Sequence, residues 1–213
     1  MDKFLRVEAL ATKGFMPADE GDALYLAACA ACRELPKLPI VEIGTYCGRS
    51  TVWLGAAARK HQTKVFAIDH HFGSEENQNG WEWFDQSLLD SSTNQLNTLP
   101  SLLATLRRTM LSDVVIPIVG ESKVISSQWS AKLAFCFLDG GHGEEPTRSD
   151  YLSWVPKIAI NGLLAIHDVF SDPKDGGQAP YKYIYMAALD SGEFIEISAT
   201  GSLRILQRIK IAG

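Results

Sequence analysis

Four side chains that can carry acid–base or metal chemistry follow two apolar segments of the sequence. Asp139 ends the run FCFLD and is followed by two glycines and His142, while His167 and Asp168 end the run LLAIHD. Apolar runs with such endings predict buried strands that deliver polar groups at their carboxyl ends. Adjacent strands of a parallel sheet lie about 4.8 Å apart, so we expect the four side chains to converge. Two carboxylates and two imidazoles predict an acid–base cluster or a divalent metal site.

A glycine-containing turn in PIVEIGTYCGRS, residues 39–50, forms a second candidate site. Residues 39–43 predict a short buried strand, residues 44–48 a tight turn, and residues 49–60 an alanine-rich helix. Such a turn leaves backbone N–H groups free at the carboxyl edge of a sheet. A dinucleotide fingerprint would place a glycine where Tyr46 stands, because pyrophosphate needs bare backbone there. The turn therefore favours a ligand without phosphate.

Two further strand ends offer groups to the same ligand. The run 65–69 ends in Asp69, at the position where a Rossmann-type site binds both hydroxyls of a ribose. The alternative is that Asp69 caps the following loop. After the run 114–119, the Gly-Glu-Ser of residues 120–122 can line an adenine with a backbone N–H and a hydroxyl, although this serine is also a candidate helix N-cap. These groups predict a nucleoside-binding edge of the sheet.

Strands and helices alternate between these segments, which predicts a parallel sheet wrapped on both faces. The remaining parallel strands are expected at residues 133–139 and 162–167, and further helices at 102–110, 122–129 and 147–158. The tail breaks the alternation with a helix at 181–189 and a hairpin formed by 194–198 and 203–209. The predicted fold class is therefore α/β, with a Rossmann-like, doubly wound, seven-stranded, mostly parallel sheet, a C-terminal antiparallel hairpin and extra N-terminal helices.

Composition restricts the class of protein. With 213 residues, 46% of them hydrophobic, the chain can form one sizeable core, so we expect a single domain over residues 1–213. A net charge of −5 argues against a nucleic acid or an anionic membrane as the partner. No apolar run approaches the roughly 20 residues of a membrane span, and the charged start MDKFLRVEALATKG does not predict a secretory signal. We therefore expect a cytoplasmic protein that binds neither nucleic acid nor membrane.

Two segments lie outside the strand–helix alternation. Residues 1–37 predict two helices, at 2–13 and 19–35, which can cover the sheet, close over a ligand or form a homodimer interface. Residues 70–100 form an insertion without Lys or Arg, in which acidic residues stand beside two tryptophans and a phenylalanine. Long insertions of this kind are often functional lids, although a solvated acidic loop explains the charges equally well. We interpret the insertion as a lid-like segment, because its tryptophans must pack on another part of the molecule.

Two segments carry a resemblance to a known family. Residues 42–48, E-x-G-x-x-x-G, resemble the first motif of class I S-adenosylmethionine-dependent methyltransferases. The block FLDGGHGEEPTRSDYLSWVPKIAINGLLAIHDV resembles the subfamily with D-G-x-H and D-x-x-x-W elements, which is similar to the catechol and caffeoyl-coenzyme A O-methyltransferases and to the macrocin- and cephalosporin-tailoring families. The resemblance spans residues 39–168 and extends more weakly to the tail. It implies S-adenosyl-L-methionine as cofactor and methyl transfer to a small-molecule acceptor, with a hydroxyl group as the expected target.

Spacing and resemblance together predict the site residues. The predicted cofactor-binding residues are Glu42, Gly44, Thr45, Tyr46, Gly48, Ser50, Asp69, His70, Gly120, Glu121, Ser122, Asp139, Gly140 and His142. The predicted catalytic residues are Asp139, His142 and His167. In catechol-type enzymes the positions of Asp139, His167 and Asp168 hold magnesium, so the resemblance implies a divalent cation at these residues. Because His167 replaces a hard oxygen ligand, either a softer metal binds or the site works without one.

A sulfonium methyl group is already activated, so the protein must align the acceptor and remove its proton. Either histidine has about the right pKa for a general base. We favour His142, because the glycines before it place it on a loop, and assign His167 to orienting the base or holding the acceptor. A bound cation that lowers the pKa of the hydroxyl is the alternative.

Two other functions compete with methyl transfer. An NAD(P)-dependent oxidoreductase is disfavoured by Tyr46 in the turn and by the lack of a Tyr-x-x-x-Lys pair after the fourth strand. A non-catalytic protein that only binds the cofactor is disfavoured by the retained His142, His167 and Asp168.

Overall fold

One seven-stranded sheet carries the polar strand ends. The computed structural model describes residues 1–210. The strands are β1 Ile40–Ile43, β2 Val65–Asp69, β3 Val115–Val119, β4 Leu133–Leu138, β5 Ile158–Ile166, β6 Phe194–Thr200 and β7 Leu203–Arg208. In space their order is β3-β2-β1-β4-β5-β7-β6.

The first five strands are parallel, and the last two extend the sheet as an antiparallel pair. β1 lies between β2 and β4, with Ile43 opposite Ile68 on one side and Leu138 on the other. The strand order therefore reverses between β1 and β4, and α/β sheets bind ligands beside the carboxyl ends at such a point. The predicted fold class is confirmed.

Helices flank the sheet. Within residues 1–210 the α-helices are α1 Lys3–Ala11, α2 Ala18–Glu34, α3 Arg49–His61, α4 Leu99–Arg108, α5 Ser122–Ser127, α6 Glu144–Trp154 and α7 Ala187–Asp190. A π-helical segment, Tyr181–Met186, leads directly into α7. Across the part of the chain that the structure describes, no helix is both long and apolar enough to cross a bilayer.

The structure differs from the predicted boundaries most clearly between α6 and β5. The helix predicted at residues 147–158 spans Glu144–Trp154, and β5 begins at Ile158 instead of residue 162. Pro156 has no N–H to continue a helix, so the chain passes through a short 3₁₀ turn, Val155–Lys157. The strand then starts at once, because Ile158 pairs with Leu133 of β4.

Two apolar layers, one on each face of the sheet, hold the strands in place. On one face Trp53 of α3 is fully buried together with Phe135 of β4. On the other face Trp154 of α6 and Ile184 of the π-helical segment belong to the buried layer. Burying a side chain such as Phe135 contributes roughly 1.5–3 kcal/mol. Helices on both faces of a parallel sheet make the doubly wound arrangement that the sequence predicts.

The N-terminal helices and the insertion both pack beside the sheet. α2 packs along α3 and reaches β4 and β5, and α1 packs on α3, so these helices cover one face of the sheet. The insertion between β2 and α4 contains two short 3₁₀ turns, Glu75–Asn77 and Gln86–Leu88. It is anchored by the buried side chains of Leu88 and Leu96, which pack on Cys47 of the glycine turn.

Candidate active site

The polar side chains that follow β4 and β5 converge, as the sequence predicts. Nδ1 of His167 lies 3.1 Å from Oδ1 of Asp139 and 3.2 Å from Oδ2 of Asp168. Nε2 of His142 lies 3.0 Å from the same Oδ2 of Asp168. β4 and β5 are parallel neighbours, with Leu138 opposite Ile166, and this pairing delivers both strand ends to one place.

A left-handed backbone conformation allows two consecutive residues to point into the cluster. Successive side chains of a strand normally point to opposite faces. Asp168 has a φ of 54°, a region that Asp tolerates better than most residues. The chain turns there, so Asp168 and His167 both reach the same group of side chains.

Two carboxylates that sequence reasoning missed complete the cluster. Oε2 of Glu20, from α2, lies 2.6 Å from Nε2 of His167. Oε2 of Glu76, from the insertion, lies 2.9 Å from Nδ1 of His142. A carboxylate in the apolar pattern of α2 is the signal that could have pointed to Glu20, which is 4% exposed. No local pattern names its partner, because Glu20 and His167 are 147 residues apart in the chain.

Burial and ion pairing act in opposite directions on the histidines. Burial alone lowers the pKa of a histidine, but hydrogen bonds to Asp168 and Glu76 outweigh it and raise the pKa of His142 to about 10. The pKa of His167 is likewise raised above its ordinary range, against burial, by the three carboxylates around it. Burial raises the pKa of Asp139, whereas the two histidines hold the pKa of Asp168 below its usual range despite burial. At neutral pH both imidazoles therefore carry a positive charge.

The glycine turn after β1 lies directly against the cluster. Gly44 has a φ of 85°, and a Cβ added there would stand 2.1 Å from the carbonyl oxygen of Asp139. Gly48 has a φ of 93°, and a Cβ there would stand 2.7 Å from Leu102. Both positions require glycine, because the conformation and the close approach exclude a side chain. The glycine turn and the polar cluster are therefore in direct contact.

Glu42 and Ser50 lie beneath the turn. Ser50 Oγ donates to Glu42 Oε1 at 2.6 Å, and Thr51 Oγ1 donates to Oε2 at 2.7 Å. Burial raises the pKa of Glu42 to about 8, although these two hydroxyls lower it in part. Glu42 is fully buried and Ser50 nearly so. Their side chains therefore join β1 to α3 and present no polar atoms at the surface.

Asp69 holds the turn from the neighbouring strand. Its Oδ2 accepts hydrogen bonds from the backbone N–H groups of Thr45 and Tyr46, both at 2.9 Å. Its Oδ1 accepts from the N–H of His71 at 2.7 Å, which is the loop-capping role considered as an alternative. The N–H of Gly120 donates to the carbonyl oxygen of Asp69 and ties the end of β3 to the same place. The ends of β1, β2 and β3 are thus linked through Asp69, by its carboxylate to the glycine turn and by its carbonyl oxygen to the end of β3.

His70 and Glu121 stand at the rim of this edge. Nδ1 of His70 accepts from the N–H of Phe72 at 3.0 Å and lies 4.0 Å from Oδ1 of Asp69. Glu121 is exposed and is the residue before the first turn of α5. Both side chains are therefore accessible to a ligand that lies along the ends of β2 and β3.

The D-x-x-x-W element clamps Ser122. Oγ of Ser122 donates to Oδ1 of Asp150 at 2.6 Å and accepts from Nε1 of Trp154 at 2.8 Å. Ser122 is the first residue of α5, so the alternative that it is the N-cap was wrong. A Cβ on Gly140 would stand 2.8 Å from Oδ2 of Asp150, which explains the glycine there. The hydroxyl of Ser122 is engaged within the fold.

Aromatic side chains from three segments meet beside the turn. Phe15, between α1 and α2, lies 5.5 Å from Tyr46 and 5.2 Å from Trp83 of the insertion, measured between ring centroids. Lys13 also contacts Asp85 of the insertion. Phe15 and Trp83 are each about half exposed. The N-terminal segment and the insertion therefore meet over the glycine turn.

The donor set does not suit a hard divalent cation. Both ring nitrogens of His167 contact carboxylate oxygens, so both carry hydrogen and neither offers a lone pair. A second set of candidate ligand atoms comes from Asp139, His142 and Asp168, and these atoms lie within 4.8 Å of one another. His142 is also held by carboxylates at both nitrogens, Glu76 on one side and Asp168 on the other. Magnesium requires oxygen ligands, so this arrangement does not fit it.

Comparisons with known proteins agree on one family and one fold. Residues 41–169 match a family model described as a methyltransferase domain. The O-methyltransferase NovP superposes with a TM-score of 0.67 at 18% identity, over 89% of this chain and 79% of that one. The SAH-bound methyltransferase from Podospora anserina has a TM-score of 0.67 at 13% identity, over 99% and 89%. TomG from Streptomyces achromogenes, an O-methyltransferase in complex with SAM, has a TM-score of 0.64 at 16% identity, over 99% and 91%. At these identities the solved structures show a shared fold.

Proposed function

The chain belongs to the family of methyltransferase domains, and from this premise we propose that it transfers the methyl group of S-adenosylmethionine to a hydroxyl group of a small molecule. The membership confirms the resemblance found in the sequence, and it favours methyl transfer over the oxidoreductase. The observation that carries the proposal is the contact between Gly44 and Asp139, which puts the glycine turn directly against the polar cluster. TomG, which contains SAM, and NovP are O-methyltransferases, and this supports the same cofactor and acceptor group here.

We assign the cofactor to the ends of β1, β2 and β3. The Gly44–Gly48 turn allows close approach of the methionine part of the cofactor. The Asp69 carboxylate, whose Oδ2 accepts hydrogen bonds from backbone N–H groups of the turn, also accepts hydrogen bonds from the ribose hydroxyls. A charge-assisted pair of this kind contributes roughly 1.5–3 kcal/mol. Glu121 and the backbone of residue 122 line the adenine. Glu42 and Ser50 act from beneath, as positioning residues for the turn.

The polar cluster then accepts the proton of the acceptor hydroxyl. When bound, S-adenosylmethionine supplies a methyl group on a sulfonium centre; the new O–C bond forms as the C–S bond breaks, and the electron pair stays on sulfur. The proton of the hydroxyl must pass to a base. The sequence predicts His142, but a pKa of about 10 leaves its imidazole protonated and without a free lone pair at neutral pH.

Asp139 is the better proton acceptor. Its Oδ1 contacts His167, which leaves Oδ2 for the hydroxyl, and burial raises its pKa. Asp168 is a weaker base, because both histidines hold its pKa low. The imidazolium of His142 can then stabilise the negative charge that develops on the acceptor oxygen. Positioning of the two reactants supplies much of the remaining acceleration.

The N-terminal segment and the insertion form the acceptor side of the cleft. We propose that residues 70–100 act as a lid within one domain, because Trp83 and Phe15 meet over Tyr46 of the turn. Aromatic walls and an insertion without Lys or Arg favour a neutral, hydroxylated acceptor over a phosphorylated one. The cytoplasmic location, the homodimer and the absence of a nucleic-acid partner stay predictions from the sequence.

Calorimetric titration tests the cofactor directly. We expect S-adenosylhomocysteine to bind and NAD not to bind. Asp69→Asn should weaken S-adenosylhomocysteine binding at least tenfold, about 1.4 kcal/mol, without unfolding the chain. Asp113→Asn is the matched control, because Asp113 is 70% exposed and precedes β3 at the opposite edge of the sheet. Binding of NAD alone, or equal affinity in both variants, would contradict the assignment.

A further inference from the structure

The imidazolium of His167 occupies the position at which the resemblance to catechol-type enzymes implies a metal ion. Nδ1 of His167 lies 3.1 Å from Oδ1 of Asp139 and 3.2 Å from Oδ2 of Asp168. A divalent ion bound between these two oxygens would have to displace the ring nitrogen that already touches both.

The charge of His167 follows from its hydrogen bonds. Its Nε2 lies 2.6 Å from Oε2 of Glu20, so each ring nitrogen faces a carboxylate oxygen. Ionised carboxylates only accept hydrogen bonds, so both nitrogens must donate and the ring carries a positive charge. The side chains of His167 and Glu20 are only 4% and 5% exposed, so water does not compete for these bonds.

The fold is shaped around Glu20. The N–H of Ser202, in the β6–β7 turn, donates to Oε1 of Glu20 at 2.6 Å. A Cβ on Gly201 would stand 2.0 Å from the same oxygen, so the turn has space for glycine only. Helix α2, the end of β5 and the last hairpin thus meet at one buried carboxylate, which fixes both its position and its partner.

We propose that the Glu20–His167 pair takes the place of the divalent cation, so that methyl transfer in this protein requires no metal ion. The imidazolium offsets one of the two negative charges of Asp139 and Asp168, and its Nδ1 fixes the orientation of both carboxylates. Glu20 is a positioning residue: it touches neither reactant and acts by holding the His167 ring between the two aspartates.

Mn²⁺ binding tests this inference. Only the turnover measurement rests on the proposed function. Electron paramagnetic resonance of free Mn²⁺ should reveal no site with a dissociation constant below about 1 mM in the chelator-treated native protein. Turnover of the native protein should be unchanged by chelator. A Mn²⁺ site that Asp139→Asn abolishes would overturn the inference, because a metal would then compete successfully with the imidazolium.

The double variant Glu20→Gln/His167→Asp supplies the converse experiment. It restores three oxygen donors, at positions 139, 167 and 168, and its glutamine amide can donate to the new carboxylate. We expect this variant to gain a Mn²⁺ site that Asp139→Asn removes. A folded variant without such a site would also overturn the inference, because it would show that the position of the His167 ring is not one at which a metal ion can bind. The native titration decides the question even if the double variant does not fold.

A parallel titration with S-adenosylhomocysteine separates the two proposals. Failure to bind this ligand would contradict the proposed function and leave the Mn²⁺ result valid. Binding of this ligand together with an Asp139-dependent Mn²⁺ site in the native protein would leave the function standing and overturn the metal-free inference.

Discussion

Replacing His142 should change how the stability of the protein depends on pH. In the folded chain His142 lies between Glu76 and Asp168 and has a pKa of about 10, against an ordinary value of 6.5. The folded state therefore binds one more proton than the unfolded state between these two values. The stabilisation is fully present below about pH 6.5 and is lost as the pH rises through about 10.

The size of the effect follows from the difference between the two pKa values. At about 1.4 kcal/mol per pH unit, it corresponds to an upper limit of about 5 kcal/mol. The His142 side chain is 29% exposed, so solvent reduces this amount. We therefore expect His142→Gln to lose 2–3 kcal/mol or more of unfolding free energy at about pH 6.5, and the loss to shrink toward pH 10.

Denaturant unfolding of both proteins at pH values from 6 to 10 measures this effect. Glu42 and Asp150 also titrate in or near this range, but they are present in both proteins, so the difference between the two curves isolates His142. In the native protein His142 helps to hold the pKa values of Glu76 and Asp168 below their ordinary range, so both partners are ionised between pH 6 and 10. Parallel curves over this range would refute the buried ion-pair assignment.

Two further predictions use other groups of the site. The kcat/KM for the acceptor should fall as the pH rises through about 10, because His142 loses its charge there; a rise through the same pH would instead identify His142 as the general base. Glu42→Gln should gain stability relative to the native protein as the pH rises from about 4.5 to 8. Burial raises the pKa of Glu42, so the native protein loses unfolding free energy over this range and the glutamine variant does not. Equal pH dependence of the two proteins in denaturant titrations would contradict this prediction.

Sequence was informative wherever a site depends on strand ends. The apolar runs before Asp69, Asp139 and His167 predict strands, and a parallel sheet must bring their carboxyl ends to one edge. The glycine turn was also predictable from the two glycines that follow the first apolar run. The structure explains them, because Gly44 and Gly48 both adopt positive φ and lie where no side chain has space. Each of these features is encoded within a few residues.

Sequence was uninformative where a site depends on contacts between distant segments. Glu20 meets His167 across 147 residues, and Glu76 meets His142 across 66. Without these two carboxylates His142 reads as a base with a pKa near neutrality, whereas the folded chain keeps it charged. The end of α6 was misplaced for a local reason, because periodicity outweighed the proline at position 156.

A crystal structure with bound S-adenosylhomocysteine is the most direct test of the claim that one cleft joins the glycine turn to the polar cluster. We predict the ribose hydroxyls within hydrogen-bond distance of Asp69 and the sulfur atom directed toward Asp139 and His142. A ligand bound away from the carboxyl ends of β1 and β4, or with its sulfur pointing away from these two side chains, would contradict the account.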